Sequence, residues 1–303
     1  METKRLRHAY LIITHGSFPI LEKQLRFLDS ENADFFIHLD THVKDFDFDY
    51  YRSIPKHSSV TFVDRIRISW GHYSLAECEM ILLKAAVMGQ YDYYHLLSGV
   101  DVPVKSRSYI ESYFLRAPGR NYINYQMPVL SRDYADRVRF SYPFQRWNIR
   151  NRVIRTGIRL TSNAVQRVLG VDRTRKYDPG FVFQKGTQWF SITHELAAYL
   201  LAHEEEIREK FHSTFCSDEM FLHSLVVNSP FRDTLPPGDF QNDYACCLRY
   251  IDWTRGKPYV FTDADYEELI STGPDHLFAR KFDCVRNGDL VDRLFAHFGE
   301  PEA

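Results

Sequence analysis

Short apolar runs alternate with segments of helical spacing through the first half of the chain. Four runs of strand length are continuously apolar or nearly so: AYLIIT, DFFIHLD, VTFVD and YDYYHLL. Such runs are typical of strands buried on both faces. A first helix is predicted from Pro19 to Leu28, because proline favours the first turn of a helix. A second helix is predicted in SLAECEMILLKAAVMG, which has apolar residues at helical spacing and stops at Gly89. A third is predicted from Ser106 to about Leu115. This alternation predicts an α/β fold whose mostly parallel sheet is covered by helices on both sides.

The second half of the chain has a different character. Strands are predicted at KGTQWFSIT and ACCLRYIDW, and helices at HELAAYLLAHEEEIREKF, after the turn in STFCSDEMFLHSLVV, and at the start of ELISTGPDHLFARKFD, which ends in a loop. We expect a single domain over residues 1–303, with a nucleotide-binding half to about residue 125 and an acceptor-binding, catalytic half from about residue 126.

An arginine-rich segment, residues 132–160, lies between these predicted elements. It contains Arg132, Arg137, Arg139, Arg146, Arg150, Arg152, Arg155 and Arg159, with Tyr142, Phe144 and Trp147 among them. One interpretation is a solvated surface excursion. The other is a basic, aromatic-lined flap over an anionic ligand or near an anionic membrane surface.

Composition narrows the class of protein. The net charge of −2 and the pI near 6.7 argue against a general nucleic-acid binder. Aromatic residues make up 15% of the chain, which suits either a carbohydrate-facing cleft or a core rich in Phe and Tyr. The five cysteines form no CxxC pair, which favours a reduced cytoplasmic compartment over disulfides or a zinc site. The first apolar run is too short for a signal peptide or a membrane span, so we expect at most peripheral membrane contact.

Carboxylates follow two of the predicted strands. Asp40 ends the second strand, and Asp101 follows YDYYHLL after a Ser-Gly turn. Because ligands of parallel sheets bind beyond the carboxyl ends of the strands, Asp40 is predicted to lie near a nucleotide base or ribose. Asp101 has no second carboxylate two residues away, so the Asp-x-Asp spacing that grips a divalent ion is missing.

Glu219 in the run STFCSDEMFL is a candidate general base. Ser217 has the position of a helix N-cap, and Asp218 and Glu219 in the first turn would favour the positive end of the helix dipole. A glutamate at the mouth of a cleft is also suited to accept a proton from an acceptor hydroxyl. The pattern alone leaves the structural and the catalytic interpretation open.

Two cationic residues and one histidine-rich run give competing hypotheses. Arg249 and Lys281 together could supply fixed positive charge against a diphosphate, although each alone is typical of a solvated side chain. Alternatively, His38, Asp40 and His42 share one side of a strand that precedes DFDFD, as in a metal site with mixed nitrogen and oxygen ligands. The spacing of that run matches no zinc motif.

The ordered segments together resemble glycosyltransferase family 14, the core-2/I-branching β-1,6-N-acetylglucosaminyltransferases and peptide O-xylosyltransferases. The matching pieces, from about Ala9 to Asp283, are AYLIITH, FFIHLD, the ISW of RIRISWGHYSLAECEMILLKA, YYHLLSGVDVPVK, WFSITHELAAYLL, CSDE and LFARKFD. The resemblance implies a GT-A fold and an inverting reaction on a UDP-sugar, with no metal ion or other cofactor.

The resemblance also implies roles for individual residues. Glu219 matches the general base, and Lys281 and Arg249 match the cations that replace a metal at the diphosphate. Asp40 matches the aspartate near the uracil pocket. Asp101 is expected among the residues that bind the nucleotide sugar, and Trp189 is expected either to line the sugar pocket or to lie in the core.

The expected reaction transfers GlcNAc or xylose from a UDP-sugar to a hydroxyl of a glycan or glycolipid-linked acceptor. WFSIT is similar to the xylosyltransferase branch, so the donor sugar stays open. Animal members carry a membrane anchor and many disulfides, so this chain is expected to be a bacterial, cytoplasmic relative acting in polysaccharide biosynthesis. The alternatives are a metal-dependent hydrolase using His38, Asp40 and His42, and a non-catalytic nucleotide- or glycan-binding protein.

Overall fold

The computed structural model describes residues 5–147, 149, 151–236 and 241–300. Its strands are β1 (His8–Thr14), β2 (Ala33–Leu39), β3 (Val60–Phe62), β4 (Tyr93–Ser98), β5 (Val102–Pro103), β6 (Tyr122–Tyr125), β7 (Gly186–Thr193), β8 (Arg249–Ile251) and β9 (Phe278–Arg280). Its helices are α1 (Phe18–Phe27), α2 (Phe48–Ser53), α3 (Ser74–Val87), α4 (Arg107–Leu115), α5 (Arg132–Arg139), α6 (Arg152–Val168), α7 (His194–Ala202), α8 (Glu204–Phe211), α9 (Phe221–Val227), α10 (Tyr266–Ile270) and α11 (Gly288–Phe298).

The main sheet has the strand order β3-β2-β1-β4-β7-β6. Strands β1 to β4 pair in parallel, and β7 runs antiparallel to both β4 and β6. Helices cover both faces. The predicted α/β class, with a mostly parallel sheet between helices, is confirmed.

The continuous apolar pattern of β1 follows from its position in the middle of this sheet. Successive side chains of a strand point to opposite faces. Ala9 and Leu11 therefore lie in one core with α3 and α7, whereas Tyr10 and Ile12 lie in another with α1 and α4. Burial of one Leu or Ile side chain is worth about 1.5–3 kcal/mol, so both faces stabilise the strand.

A small second sheet, β5-β9-β8, was not predicted. Strand β9 falls in the segment LFARKFD, which was expected to be a loop, and β8 is only the middle of the strand predicted at ACCLRYIDW. A third apolar core joins this sheet to α10 and α11. Because β5 follows β4 after a short turn, the small sheet brings the end of β9 next to the carboxyl end of β4.

Two helical predictions of the second half require correction. The helix predicted at HELAAYLLAHEEEIREKF is interrupted at His203 and forms α7 and α8. Ser217 is not a helix cap, because residues Ser217–Glu219 form a separate 3₁₀ turn that follows Cys216 in the left-handed region (φ 51°). Among the described residues, no helix combines the length and apolarity that crossing a membrane requires.

Candidate active site

A cleft of about 860 Å³ lies at the carboxyl ends of β1, β2 and β4. Thr14 and His15 at the end of β1, Asp40 after β2, and Ser98 and Gly99 at the end of β4 all line it. This is the position at which parallel α/β sheets bind their ligands. The expectation that Asp40 lies at such a site agrees with its position.

Gly99 permits the close approach of two strand ends at the floor of the cleft. A Cβ atom at this position would lie 2.4 Å from the Oγ1 atom of Thr14. Contacts this short essentially never occur, so a side chain here would displace the side chain of Thr14 at the end of β1. The Ser-Gly turn of the sequence thus has a steric cause.

Asp40 is held ionised by its hydrogen bonds. Its carboxylate accepts from the backbone N–H of His42 and of Ile68, each at 2.9 Å, and from the ring Nδ1 of His42 at 2.5 Å. Burial alone would raise the pKa of Asp40, but these hydrogen bonds outweigh it and lower the pKa. The side chain therefore presents a fixed negative charge at the edge of the cleft.

The structure does not assemble the metal site that the run HLDTH suggested. His38 is buried, and its Nε2 atom accepts the backbone N–H of Ile66. Asp47 caps α2 through the N–H of Tyr50. In the part of the chain that the structure describes, no group of three or more His, Cys, Asp or Glu side chains is arranged to hold a metal ion.

Arg280 is the cation best fixed at the cleft. Its Nη1 atom donates to Ser98 Oγ at 2.6 Å and to Asp101 Oδ1 at 2.7 Å, and its guanidinium lies 4.1 Å from the centre of the Trp189 ring. Asp101 is fully buried and also accepts the backbone N–H of Ser98. Asp101 thus positions Arg280 from behind instead of lining the cleft, whereas Trp189 does line it.

Lys281 stands beside Arg280 in the lining of the same cleft. Burial, followed by repulsion from Arg280, lowers the pKa of Lys281. Among the described residues, its ammonium group has no hydrogen bond or ion pair. The charges of Asp283 and Asp101 favour the ammonium form but do not outweigh burial and Arg280. A desolvated ammonium group without a direct hydrogen-bonded partner is well placed to bind an anionic ligand. Arg67 and Arg286 add further positive charge to the lining.

The prediction that Arg249 supplies positive charge to the ligand site is wrong, because Arg249 does not face this cleft. The residue is fully buried, and its guanidinium donates to the backbone carbonyls of Cys247, Leu96 and Phe190 at 2.8, 2.9 and 3.1 Å. These bonds tie β8 to β4 and β7. The second cation beside Lys281 is instead Arg280, its neighbour in the motif LFARKFD.

Glu219 carries the second part of the candidate site. Its carboxylate contacts Arg137 Nη1 at 2.8 Å and Lys185 Nζ at 3.2 Å. Burial would raise the pKa of Glu219, but the charges of Lys185 and Arg137 lower it. The side chain is still 31% exposed, so this ionised carboxylate remains accessible to a ligand.

Two further carboxyl groups, those of Asp218 and Glu79, lie behind Glu219. That they surround the candidate base was not predicted from the sequence. Burial, together with the charge of Glu219, raises the pKa of Asp218 to about 7. Burial and the charge of Asp218 raise the pKa of Glu79 well above its usual value. Neither Asp218 Oδ1 nor the carboxyl oxygens of Glu79 have a hydrogen-bond partner among the described residues. The negative charge of this cluster is therefore concentrated on Glu219.

One loop joins the cleft to the turn that carries Glu219. Trp70 lines the cleft, and its ring packs edge-on against Phe215 at 5.4 Å between centroids. The backbone N–H of Cys216 donates to Gly71 O at 2.9 Å. Glu219 does not line the cleft itself, but it follows Cys216 by three residues and is thereby tied to the rim formed by Trp70.

The arginine-rich segment is folded beside the same rim. Arg137 of α5 binds Glu219, Arg155 of α6 lies 4.4 Å from the centre of the Trp70 ring, and Arg159 lies 5.3 Å from that of Phe215. Arg150 lies outside the described residues. The segment is thus a helical layer next to the cleft and contributes one partner of Glu219.

Comparison with protein families gives a clear result. The sequence model of the Core-2/I-Branching enzyme family matches residues 8–269. The chain belongs to this family. The resemblance found in the sequence is thereby confirmed.

Several xylosyltransferases are similar to this member of the Core-2/I-Branching enzyme family. Rat xylosyltransferase 2 is 21% identical over 323 residues, which cover 96% of this chain and 34% of that protein. Human xylosyltransferase 1 is 20% identical over 319 residues, which cover 97% of this chain and 30% of that protein. The chain thus spans about a third of the length of these relatives. A structure of mouse xyloside xylosyltransferase 1 in its apo form covers 90% of this chain and 96% of its own, with 11% identity and a TM-score of 0.38.

The predicted site residues of this family member separate into three groups. Asp40, Trp189 and Lys281 line the cleft, Glu219 lies near its rim, and Asp101 and Arg249 are buried behind it. Arg137, Lys185 and Arg280 were not predicted as site residues. The motif LFARKFD contained the signal for Arg280, whereas no local pattern marks Arg137 or Lys185 as partners of Glu219.

Proposed function

We propose that this chain is an inverting glycosyltransferase that moves a sugar from a UDP-sugar to a hydroxyl of a glycan or glycolipid-linked acceptor. The observation that carries the proposal is the pairing of a cationic cleft with an accessible, ionised Glu219 near its rim. Membership of the Core-2/I-Branching enzyme family supports it.

In this proposal the nucleotide occupies the cleft at the strand ends. Asp40 lies where the uracil or ribose would hydrogen-bond, and Arg280 and Lys281 lie where the diphosphate would bind. Charge-assisted hydrogen bonds from two cations are among the strong polar contacts in proteins. They would stabilise the negative charge that develops on the departing UDP, the role that a metal ion has in other enzymes.

Glu219 acts as the general base. It accepts the proton of the acceptor hydroxyl while that oxygen forms a bond to the anomeric carbon. The bond between this carbon and the phosphate oxygen breaks at the same time, and its electron pair leaves with UDP. A single displacement of this kind inverts the anomeric configuration. Because the pKa of Glu219 is lowered, the carboxylate is ready to accept a proton at neutral pH.

The donor sugar is proposed to be xylose or GlcNAc. The similar proteins named above are xylosyltransferases, which favours UDP-xylose as the first donor to test. UDP-GlcNAc is the second, because the family model is that of the Core-2/I-Branching enzymes.

The test compares Glu219→Gln with the unaltered protein in binding and in turnover. Thermal-shift and calorimetric titrations use UDP, UDP-xylose and UDP-GlcNAc, each with and without EDTA, since a ligand of the folded state raises its melting temperature. Turnover is followed as UDP release in the presence of a panel of sugar acceptors. Glu195→Gln is the matched control, because Glu195 is exposed on α7.

Glu219→Gln is expected to keep its UDP affinity within about twofold and to lose turnover by about 10²–10⁴-fold, the usual contribution of a general base. Glu195→Gln is expected to behave like the unaltered protein. Undiminished turnover in Glu219→Gln would exclude this base. Loss of UDP binding on addition of EDTA would show that a metal ion holds the phosphates, and UDP binding without release from any donor would favour a non-catalytic relative.

A further inference from the structure

Helix α6 turns an apolar face to solvent. One side of the helix carries Val153, Leu160, Ala164 and Val168, whose spacings of seven, four and four residues bring them to the same face. Ile154 and Val165 flank them. All six are exposed, with Val153 at 80% and Val168 at 87%, and none of the α6 residues is buried. These six residues are called the outer face of α6.

The opposite side of α6 faces the protein and is mainly polar, with Ile158 as a partly buried apolar contact to the core. Arg155 covers the ring of Trp70, and Arg159 covers that of Phe215. Gln166 exchanges hydrogen bonds with the backbone of Ser141 at 2.9 and 3.0 Å. A helix on the surface of a globular protein normally has the reverse arrangement, with its apolar side on the core. The outer face is therefore an apolar surface that the described part of the chain leaves uncovered.

The charge around the outer face limits what can cover it. Residues 137–171 contain eight arginines and no aspartate or glutamate, and three of them, Arg137, Arg139 and Arg167, pair with the carboxylates of Glu219, Asp172 and Asp136. Trp147, shortly before α6, is 69% exposed. An apolar helical face, flanking cations and a nearby tryptophan are the features of helices that lie in the interface of anionic membranes. A second copy of the chain is disfavoured, because pairing two outer faces would bring two strongly basic segments together.

We propose that the outer face of α6 binds the surface of an anionic lipid bilayer. The helix has 17 residues and is about 25 Å long, so it lies in the plane of the membrane instead of crossing it. Its apolar side chains enter the boundary between headgroups and acyl chains, and Arg152, which is exposed at the start of α6, contacts the headgroups. Because Arg155 of α6 covers Trp70 at the cleft, the bound helix holds the rim of the cleft close to the lipid surface.

The test measures co-sedimentation of the protein with vesicles. One set is phosphatidylcholine alone, and the other contains phosphatidylcholine and phosphatidylglycerol. The protein is expected to bind the second set, and binding is expected to weaken as salt is added. Arg152→Gln is expected to weaken binding about fivefold, the typical effect of one basic residue at an anionic surface.

The decisive variant replaces Val153, Leu160 and Val168 together by asparagine. Its matched control replaces Met88, Val129 and Val285 by asparagine, three apolar residues at 84%, 80% and 91% exposure elsewhere on the surface. The outer-face variant is expected to lose vesicle binding, and the control is expected to retain it, with both proteins keeping their circular dichroism spectra.

Three results would overturn the proposal. The first is absence of binding to the phosphatidylglycerol vesicles by the unaltered protein, and the second is an equal loss of binding in both triple variants. The third comes from analytical ultracentrifugation: a dimer that the outer-face variant alone dissociates would identify a second copy as the occupant of this face.

Discussion

Replacing Lys281 by methionine removes one positive charge from the cleft while keeping most of the side-chain volume. The ammonium group has no hydrogen bond or ion pair among the described residues, so the folded state loses no direct polar contact. Burial and repulsion from Arg280 lower the pKa of Lys281, which means that its charge is a cost to the folded protein. The melting temperature of Lys281→Met is therefore expected to equal or exceed that of the unaltered protein.

The affinity for UDP is expected to change in the opposite direction. A hydrogen bond to a charged group contributes about 1.5–3 kcal/mol, so its loss corresponds to a dissociation constant about 10- to 150-fold higher. Uridine, which has no phosphate, should bind both proteins equally. In the unaltered protein UDP affinity should also fall as the pH rises through the lowered pKa of Lys281, because the ammonium group then loses its proton.

Isothermal titration calorimetry with UDP and with uridine measures both effects. Lys44→Met is the control, since Lys44 is an exposed lysine outside the cleft lining. If Lys281→Met binds UDP within about twofold of the unaltered protein, the phosphates do not lie beside Lys281. A similar loss of uridine affinity would show that the substitution disturbs the cleft itself.

Three other substitutions test the surroundings of the cleft. Arg249→Met leaves three buried carbonyl groups without a donor and is expected to reduce the free energy of unfolding by about 3 kcal/mol or more, measured by urea denaturation, with little change in UDP affinity of the folded fraction. Asp218→Asn should have little effect on the free energy of unfolding near pH 4 and should increase it at pH 8, measured in the same way. The reason is that the pKa of Asp218 is raised to about 7, so the unaltered protein loses stability as the pH rises from about 4 to about 7. Gly99→Ala should destabilise the protein and weaken UDP binding in calorimetry, because its Cβ would meet Thr14. Gly288→Ala, outside the cleft lining, meets no atom within 4 Å and serves as its control.

The central strands were predictable from the sequence because their pattern has one physical cause. Both faces of β1 are covered, so almost every residue of AYLIIT is apolar and the run stands out from its surroundings. Strand β9 has three residues, too few for a periodic signal, and it exists because of pairing with β5 and β8. Long-range pairing of this kind leaves no local pattern to detect.

The location of Asp40 in the cleft was predictable from its position along a strand. Asp40 follows β2, and the cleft of a parallel sheet lies beyond the carboxyl ends of its strands. The choice between Arg249 and Arg280 could not be made in this way, because both are basic residues on short strands. The register of β8 against β9 buries Arg249 opposite Phe278 and leaves Arg280 at the end of its strand. The partners of Glu219 come from segments far away in the chain.

Strand β7 sets the spacing of the site. Lys185, which holds Glu219, immediately precedes the strand, and Trp189, which lies against Arg280, follows four residues later. An extended chain covers about 13 Å over four residues. The backbone of one strand in the main sheet thus fixes the separation between Lys185, the partner of Glu219, and Trp189, the partner of Arg280. Because side chains alternate between the two faces of a strand, a single residue inserted between Lys185 and Trp189 would turn one of these two side chains to the other face of the sheet and separate it from its partner.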